Sequence, residues 1–340
     1  MDSLSQLVLG AAVGVAVMGR RTAVWKAALW GGVCGTLPDL DVLIEYGDPI
    51  SNMVLHRAET HALFWLSLAA PLFAWLIARL HGETVLFRRW WLALWLVLIT
   101  HPLLDAMTVY GTQLALPFSD HPFGVGSIFI IDPLYTVPLI AGVLAALIAR
   151  GSPRGLRINA VGLALSVAYL VWGAAAQQWV TSVAQAQLRA QGIVAERVLV
   201  TPAALQSVLW RVVAVNGGHY YEGFCSLFDG KRAIRFDRFD RGAALREELR
   251  GASVLNTRVE TIARFSKGFY KLALDGPTIV LSDLRMGQEP GYVFAFAIAE
   301  RKSPPVPIEP ARDVGGRGDA RAGLAWLWRR MWGEDLPPPR

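Results

Sequence analysis

The stretch Leu37-Pro38-Asp39-Leu40-Asp41 ends one apolar run with a proline and two carboxylates, and His56-Arg57-Ala58-Glu59-Thr60-His61 stands directly before another. Further on, inside an apolar segment, lies His101-Pro102-Leu103-Leu104-Asp105. Asp39, Asp41, His56, His61, His101 and Asp105 are all of metal-ligand type, and each borders a strongly hydrophobic stretch. Carboxylates and imidazoles are costly in such places unless they pair, bind something or face water. The apolar runs around them therefore govern both the fold and the meaning of these six residues.

Six such runs precede residue 177: Leu4 to Met18, Ala23 to Leu37, Ala62 to Leu80, Trp90 to Met107, Leu134 to Ala149 and Ile158 to Ala176. At ~1.5 Å per residue the nineteen residues of Ala62 to Leu80 nearly cross a ~30 Å hydrocarbon core. The first two runs are short for a full span. In the first, the positive charge of Arg20-Arg21 follows the apolar residues, opposite to a signal peptide, so a retained helix is expected. Gly31, Gly32 and Gly35 allow close helix contact in the second. Asp132-Pro133 has the form of a cap on the helix beginning near Leu134.

Composition agrees. The 340 residues are 54% apolar and 18% charged, with mean hydropathy +0.37, against about 25% charged in ordinary soluble domains. The apolar excess lies before residue 177. The expected architecture is an α-helical polytopic membrane domain of about six apolar helices over 1–176. A helical connector follows over 177–194, then a small soluble α+β domain with an antiparallel sheet over 195–300. A Pro/Gly-rich tail over 301–340 ends the chain.

The formal charge of +6 does not call for nucleic acid, because Arg and Lys gather in short turns between apolar runs, as the positive-inside rule requires. Arg20, Arg21 and Lys26 share one turn, Arg79, Arg88 and Arg89 the next, and Arg150, Arg154 and Arg157 a third. These turns alternate, so all three can be cytoplasmic in a bacterial inner membrane. The soluble domain and the connections at 38–61 and 108–133 then fall on the periplasmic side. The arginines alone thus bring all six candidate ligands to one membrane face. Cys34 and Cys225 fall in different domains and show no metal-site spacing.

In the soluble domain, Ser207 to Val215 and His219 to Leu227 read as strands joined at Asn216-Gly217, a hairpin signal. Arg241 to Arg250 and Asn256 to Phe265 read as helices. Gly268 to Leu274, Thr278 to Leu284 and Tyr292 to Ala299 read as further strands. Pro304 to Arg317 is expected to lack fixed structure. Asp319 to Trp332 has amphipathic spacing, with Trp326, Trp328 and Trp332 suited to a membrane surface.

His101 and Asp105, four apart on a helix, share a face and can chelate one ion. His56 and His61 fit if the first precedes a helix and the second opens it. Asp39 and Asp41 leave Pro38 in different directions, so one or both are ligands. The mixed set suits a divalent metal, zinc first, with manganese or iron as alternatives. Asp41 or Glu59 is the candidate general base, and Arg57 a candidate to hold a phosphate or pair with Asp39 or Asp41. His81, His121 and His219 read as solvated or surface residues.

Leu-Pro-Asp-Leu-Asp at 37–41, His-Arg-x-x-Thr-His at 56–61 and His-Pro-Leu-Leu-Asp at 101–105 together resemble the YdjM-type family of predicted membrane-bound metal-dependent hydrolases. Tyr110-Gly111-Thr112, Pro117-Phe118-Ser119 and Phe129 to Leu134 extend the likeness across the N-terminal half. The family's distant similarity to zinc-dependent phospholipase C implies phosphoester hydrolysis. This chain departs from the pattern with Ala58 and Ala62 around the second motif, where the family has Gly and Ser. It also has Gln6 where many members carry His. The function expected is a membrane-embedded metal-dependent hydrolase acting on a membrane lipid or lipid-linked substrate at the outer face. The alternative is a non-catalytic membrane protein whose His/Asp cluster is structural and whose exported domain binds a partner.

Overall fold

A computed structural model describes residues 1–316 and 320–340, the side chains of residues 320 and 321 excepted. Arg317 and Asp319, which bound the two expected C-terminal segments, lie outside the described residues. The chain divides into two compact units: Met1–Ile44, His56–Ala174 and Ala204–Gln206 form the first, and Glu45–Leu55, Ala175–Ala203 and Ser207–Arg340 the second.

Along the chain the first helices are α1 (Ser3–Met18), α2 (Val24–Thr36), α3 (Pro49–Leu55), α4 (Leu63–Leu80), α5 (Phe87–Ala106), α6 (Pro133–Ile148) and α7 (Pro153–Ala190). Each of the six apolar runs is a helix. Asp132 caps α6, its side chain accepting from Leu134 N at 3.1 Å. About six membrane helices is nevertheless a correction to make. Among the described residues only α4 and α7 are long and apolar enough to cross a bilayer. The reason is length and charge. The sixteen residues of α1 and of α6 reach only ~24 Å and the thirteen of α2 ~20 Å at ~1.5 Å each, while α5 carries Arg88, Arg89 and Asp105. Only 28% and 22% of the most apolar windows of α4 and α7 are buried. Leu68, Leu72, Val161 and Leu165 among others lie exposed, a surface suited to lipid rather than water.

Glycine sets the first helix pair. Gln6 faces Gly35, Gly10 faces Gly31 and Gly14 faces Ala27, so α1 and α2 run antiparallel with their backbones in contact. A Cβ on Gly14 would lie 2.5 Å from Ala27 O, and one on Gly35 2.8 Å from Gln6 O. Small residues four apart on both helices are what allow such an approach. The seam presses α1 and α2 onto α5, where Val15, Leu94, Val97 and Leu98 join one apolar core with Leu139 of α6. Asn159 of α7 ties in by donating to Ala12 O at 2.9 Å.

The second unit is built on β1 (Arg197–Pro202), β2 (Leu209–Asn216), β3 (His219–Ser226) and β4 (Asp237–Asp240), an antiparallel sheet in that order. The β2–β3 turn falls at Gly217-Gly218, with Asn216 opposite His219 and Gly217 at φ +42°. Helices α8 (Ala243–Leu249) and α9 (Ser253–Phe265) lead to β5 (Tyr270–Asp275), β6 (Thr278–Asp283), the short hairpin β7 (Gly287–Gln288) and β8 (Gly291–Tyr292), β9 (Ala295–Glu300) and β10 (Val306–Asp313). A second antiparallel sheet runs β10-β9-β6-β5. The unit therefore has two four-stranded sheets rather than one small sheet, and β10 occupies a stretch expected to lack structure. Its prolines fit because β10 is an edge strand whose register shifts between Pro307 and Arg312, the setting in which strand prolines are tolerated. Last comes α10 (Ala320–Met331). It packs Trp326 edge-on against Phe224 at 4.9 Å, and Trp332 beyond it stacks on Phe228 at 5.4 Å.

Candidate metal centre

Three short pieces of chain converge on one point of the first unit. After α2, Pro38 forces a 3-10 turn over Pro38–Leu43, which turns Asp39 and Asp41 inward and leaves Leu40, Val42 and Leu43 exposed. A second 3-10 turn, Glu59–His61, precedes α4 and buries His61 completely. Helix α5 continues through Pro102, and its His101 and Asp105, one turn apart, are both buried.

Asp39, His61, His101 and Asp105 form the group, each offering one ligand atom within 4.8 Å of the others. His61 Nε2 lies 3.5 Å from Asp39 Oδ1 and 3.3 Å from Asp105 Oδ2. His101 Nε2 lies 3.5 Å from each of the same two oxygens and 3.1 Å from His61 Nε2. A tetrahedron with ~2.0–2.1 Å ligand bonds has edges of ~3.3–3.4 Å; these five separations lie near that length, and the four atoms together lie within 4.8 Å of one another.

The outer faces of the imidazoles settle their tautomers. His101 Nδ1 meets Gly35 O at 2.7 Å. A carbonyl only accepts, so Nδ1 carries a proton, and in the neutral ring Nε2 then has the lone pair. Thr60 Oγ1 donates to Asp41 Oδ2 at 2.7 Å and is therefore an acceptor for His61 Nδ1 at 2.9 Å. In the neutral rings both Nε2 atoms turn lone pairs toward two carboxylate oxygens, and in the protonated rings they donate to them. Metal-binding histidines are held through the other ring nitrogen in this way. Asp105 Oδ2, fully buried, accepts no well-formed hydrogen bond among the described residues. With both rings neutral, four acceptors face one another, and a metal ion or protons must lie among them.

The chain supplies part of that charge. The Met1 amine pairs with Asp105 Oδ1, and Arg57 Nε lies 3.3 Å from Asp105 Oδ2. Burial pushes the Asp39 carboxyl up, but hydrogen bonds from His101 and His61 outweigh it and leave it below its ordinary value. Asp41 is likewise lowered, burial being overcome by His56 and the Arg57 backbone. Burial lowers His61, yet its hydrogen bonds to Asp105 and Asp39 win and raise it.

Asp41 and His56 stand beside the group rather than in it. His56 Nδ1 lies 2.8 Å from Asp41 Oδ1, and Asp41 also accepts from Arg57 N at 2.9 Å. Arg57 is 3% exposed, holds φ at +66° and lays its guanidinium over the Tyr110 ring at 4.8 Å. A positive φ on a non-glycine residue marks a backbone position that its surroundings enforce. Glu59 is exposed on the His61 turn. His121 sits on an exposed loop edge-on to Phe123 at 4.8 Å, and His81 accepts from Trp30 Nε1 at 2.7 Å.

Sequence reasoning passed over Gln6, Thr60 and the Gly35 carbonyl as parts of the site. Gln6 Nε2 donates to Asp105 Oδ1 at 3.0 Å and to His101 O at 3.1 Å, while its buried Oε1 has no partner among the described residues. The available signal was a lone amide inside the apolar run of α1.

Comparison with known proteins places the N-terminal half of the chain in a family. A family profile described as "YdjM inner membrane protein" matches residues 1–180. An uncharacterized protein of Bacillus subtilis (strain 168), YfhP, is 30% identical over 181 residues, covering 50% of this chain and 53% of YfhP. The chain thus spans about half the length of the curated relative it matches. No solved structure matches it. The family match begins at the first residue, takes in Gln6 and every residue of the metal group, and covers more than half of the chain: this protein belongs to the YdjM inner membrane protein family.

Proposed function

We propose that the protein is a membrane-embedded metal-dependent hydrolase acting on a phosphoester or lipid-linked substrate at the outer face of the bacterial inner membrane. The observation that carries this reading is the convergence of Asp39, His61, His101 and Asp105, their ligand atoms within 4.8 Å of one another and both imidazoles anchored from behind. These four would hold the ion, zinc first by ligand type. When bound, such an ion supplies Lewis acidity and lowers the pKa of water to about 7.

The surrounding residues have distinct tasks in this reading. Asp41 and Thr60 fix the His61 ring, and Gly35 O fixes that of His101. Arg57, buried and beside the group, offers a fixed positive charge to a substrate phosphoryl oxygen. Glu59, on the exposed side of the His61 turn, is the general base. The exposed apolar residues Leu40, Val42 and Leu43 on the Asp39–Asp41 turn suit a substrate that arrives from lipid.

A second reading rests on the counter-charges within the chain. The Met1 amine and Arg57 flank Asp105, as a purely structural staple would require. Asp105→Asn separates the two: a catalytic centre loses function and keeps its fold, whereas a staple loses folding or expression. The primary test is elemental analysis of detergent-purified protein beside a folded His101→Ala/Asp105→Ala variant. About one or two equivalents of zinc or manganese, lost in the variant, support the hydrolase. No metal in either, even after incubation with added ions, sinks it.

A further inference from the structure

The second unit carries a buried ionic cluster that the metal centre does not use. Glu222 on β3, 1% exposed, receives Arg211 from β2 through Nε at 2.7 Å and Nη2 at 2.6 Å. Glu289, mostly buried, pairs with Lys271 and accepts from Tyr220 Oη. Buried ion pairs add little net stability over well-packed apolar residues, so such a cluster calls for another explanation.

The explanation lies in what fills its open side. Arg340 Nη1 donates to Glu222 Oε1 at 2.6 Å and to Glu289 O at 3.3 Å, and Nη2 donates to Asp237 Oδ2 at 2.8 Å. Its guanidinium lies over the Phe239 ring at 4.7 Å. The preceding Pro337-Pro338-Pro339 has no backbone N–H to donate, and the Arg340 side chain ties the end of this run to the sheet. The geometry is selective. Two carboxylates reached by different nitrogens of one planar fork, with an aromatic face beneath it, suit guanidinium over ammonium. Beside it a cleft of about 610 Å³ stays open, lined by Phe236, Asp237, Phe239, Glu289 and Pro290 among others.

We propose that the cradle of Glu222, Asp237 and Phe239 at the edge of this cleft is a receptor site for a guanidinium group, and that Arg340 occupies it in place of an arginine-bearing ligand. The tethered side chain competes at an effective concentration in the millimolar range, so the intact chain responds weakly to added arginine. Removing Arg340 exposes Glu222 and Asp237 to a ligand in solution.

The test is calorimetric titration of the full chain in detergent, wild type against Arg340→Ala, with N-acetyl-arginine amide, an arginine-containing peptide and N-acetyl-lysine amide. Arg340→Ala is expected to bind the arginine compounds at least about tenfold more tightly than wild type, to ignore the lysine compound, and to lose the gain when Asp237→Asn is added. A peptide that binds much more tightly than the amide identifies a polypeptide source; equal binding identifies a small guanidinium compound. Folded Arg340→Ala that binds neither, or binds lysine equally, overturns the proposal. If Arg340→Ala does not fold, Arg340→Lys, a poorer competitor in the same place, must show the gain. Failure of both variants to fold makes Arg340 a staple and also overturns it.

Discussion

His61 and His101 face each other through Nε2 atoms 3.1 Å apart, while their Nδ1 atoms point outward to Thr60 at 2.9 Å and to Gly35 O at 2.7 Å. Two lone pairs so close are tolerable with a cation beside them. The outward bonds keep the rings from turning away. Asp41→Asn and Thr60→Val remove the backing of His61 without touching a ligand atom of the group. Metal affinity is expected to fall by about 10–100-fold in each, measured by competition with a chromophoric chelator. Unchanged affinity in both would leave the His61 orientation to packing alone.

The same group titrates. His61 holds its proton more tightly than an ordinary imidazole, because Asp105 and Asp39 outweigh the effect of burial. Ligation through Nε2 requires that proton to leave, so acid competes with metal. Below the raised pKa of His61, each unit of pH is expected to cost about tenfold in metal affinity, beginning above the ~6.5 of a free imidazole. Metal titrations at three pH values between about 5.5 and 8 measure the slope. A slope that begins only below pH 6 contradicts the raised value.

The glycine seam can be probed directly. Gly35→Ala would place a Cβ 2.8 Å from Gln6 O and force α1 and α2 apart. A loss of about 1–3 kcal/mol is expected from overpacking, and metal affinity falls with it because the Gly35 carbonyl moves off His101. Gly32→Ala, whose Cβ would meet the flexible Leu7 side chain at 3.3 Å, is the milder control. Thermal unfolding in detergent and metal binding rank the two.

Lys271 gives the second unit a pH signature. Burial pushes its amine down to about 8, with Glu222 opposing and Arg211 adding to the effect. Between about pH 8 and its unfolded value of ~10.4 the folded state binds fewer protons than the unfolded one, so this group adds stability as pH rises. Lys271→Met is expected to lack that rise. Parallel denaturant titrations at about pH 8 and pH 10 compare the two proteins, and equal slopes with pH would mean an ordinary amine.

Much of this was legible in the sequence because it depends on local pattern. Apolar runs between arginine turns marked all six helices, and the i, i+4 spacing of His101 and Asp105 put both on one face of α5. Membrane crossing was overstated, since an apolar run marks a helix whether or not it is long and uncharged enough to span, and α1, α2, α5 and α6 are not. The exclusion of His56 and Asp41 from the four-atom group follows from the 3-10 turn, which points Asp39 and Asp41 to different partners. Strand β10 was missed because its prolines argue against strand everywhere except at an edge. Gln6 and Gly35 act through antiparallel contact between helices, a long-range relation that one chain read in order does not display.

That seam bears on any attempt to move the centre into another scaffold. Copying Asp39, His61, His101 and Asp105 onto a generic helical bundle would transfer four donors and none of their orientation. An interhelical spacing set by ordinary side chains leaves a backbone carbonyl too far away to receive the His101 ring proton. The smallest transplantable piece is therefore α1 with Gln6, Gly10 and Gly14, α2 through Asp41, the Arg57–His61 turn and the last turns of α5. The transferable unit is a contact between two backbones, with the ligands as its outermost layer.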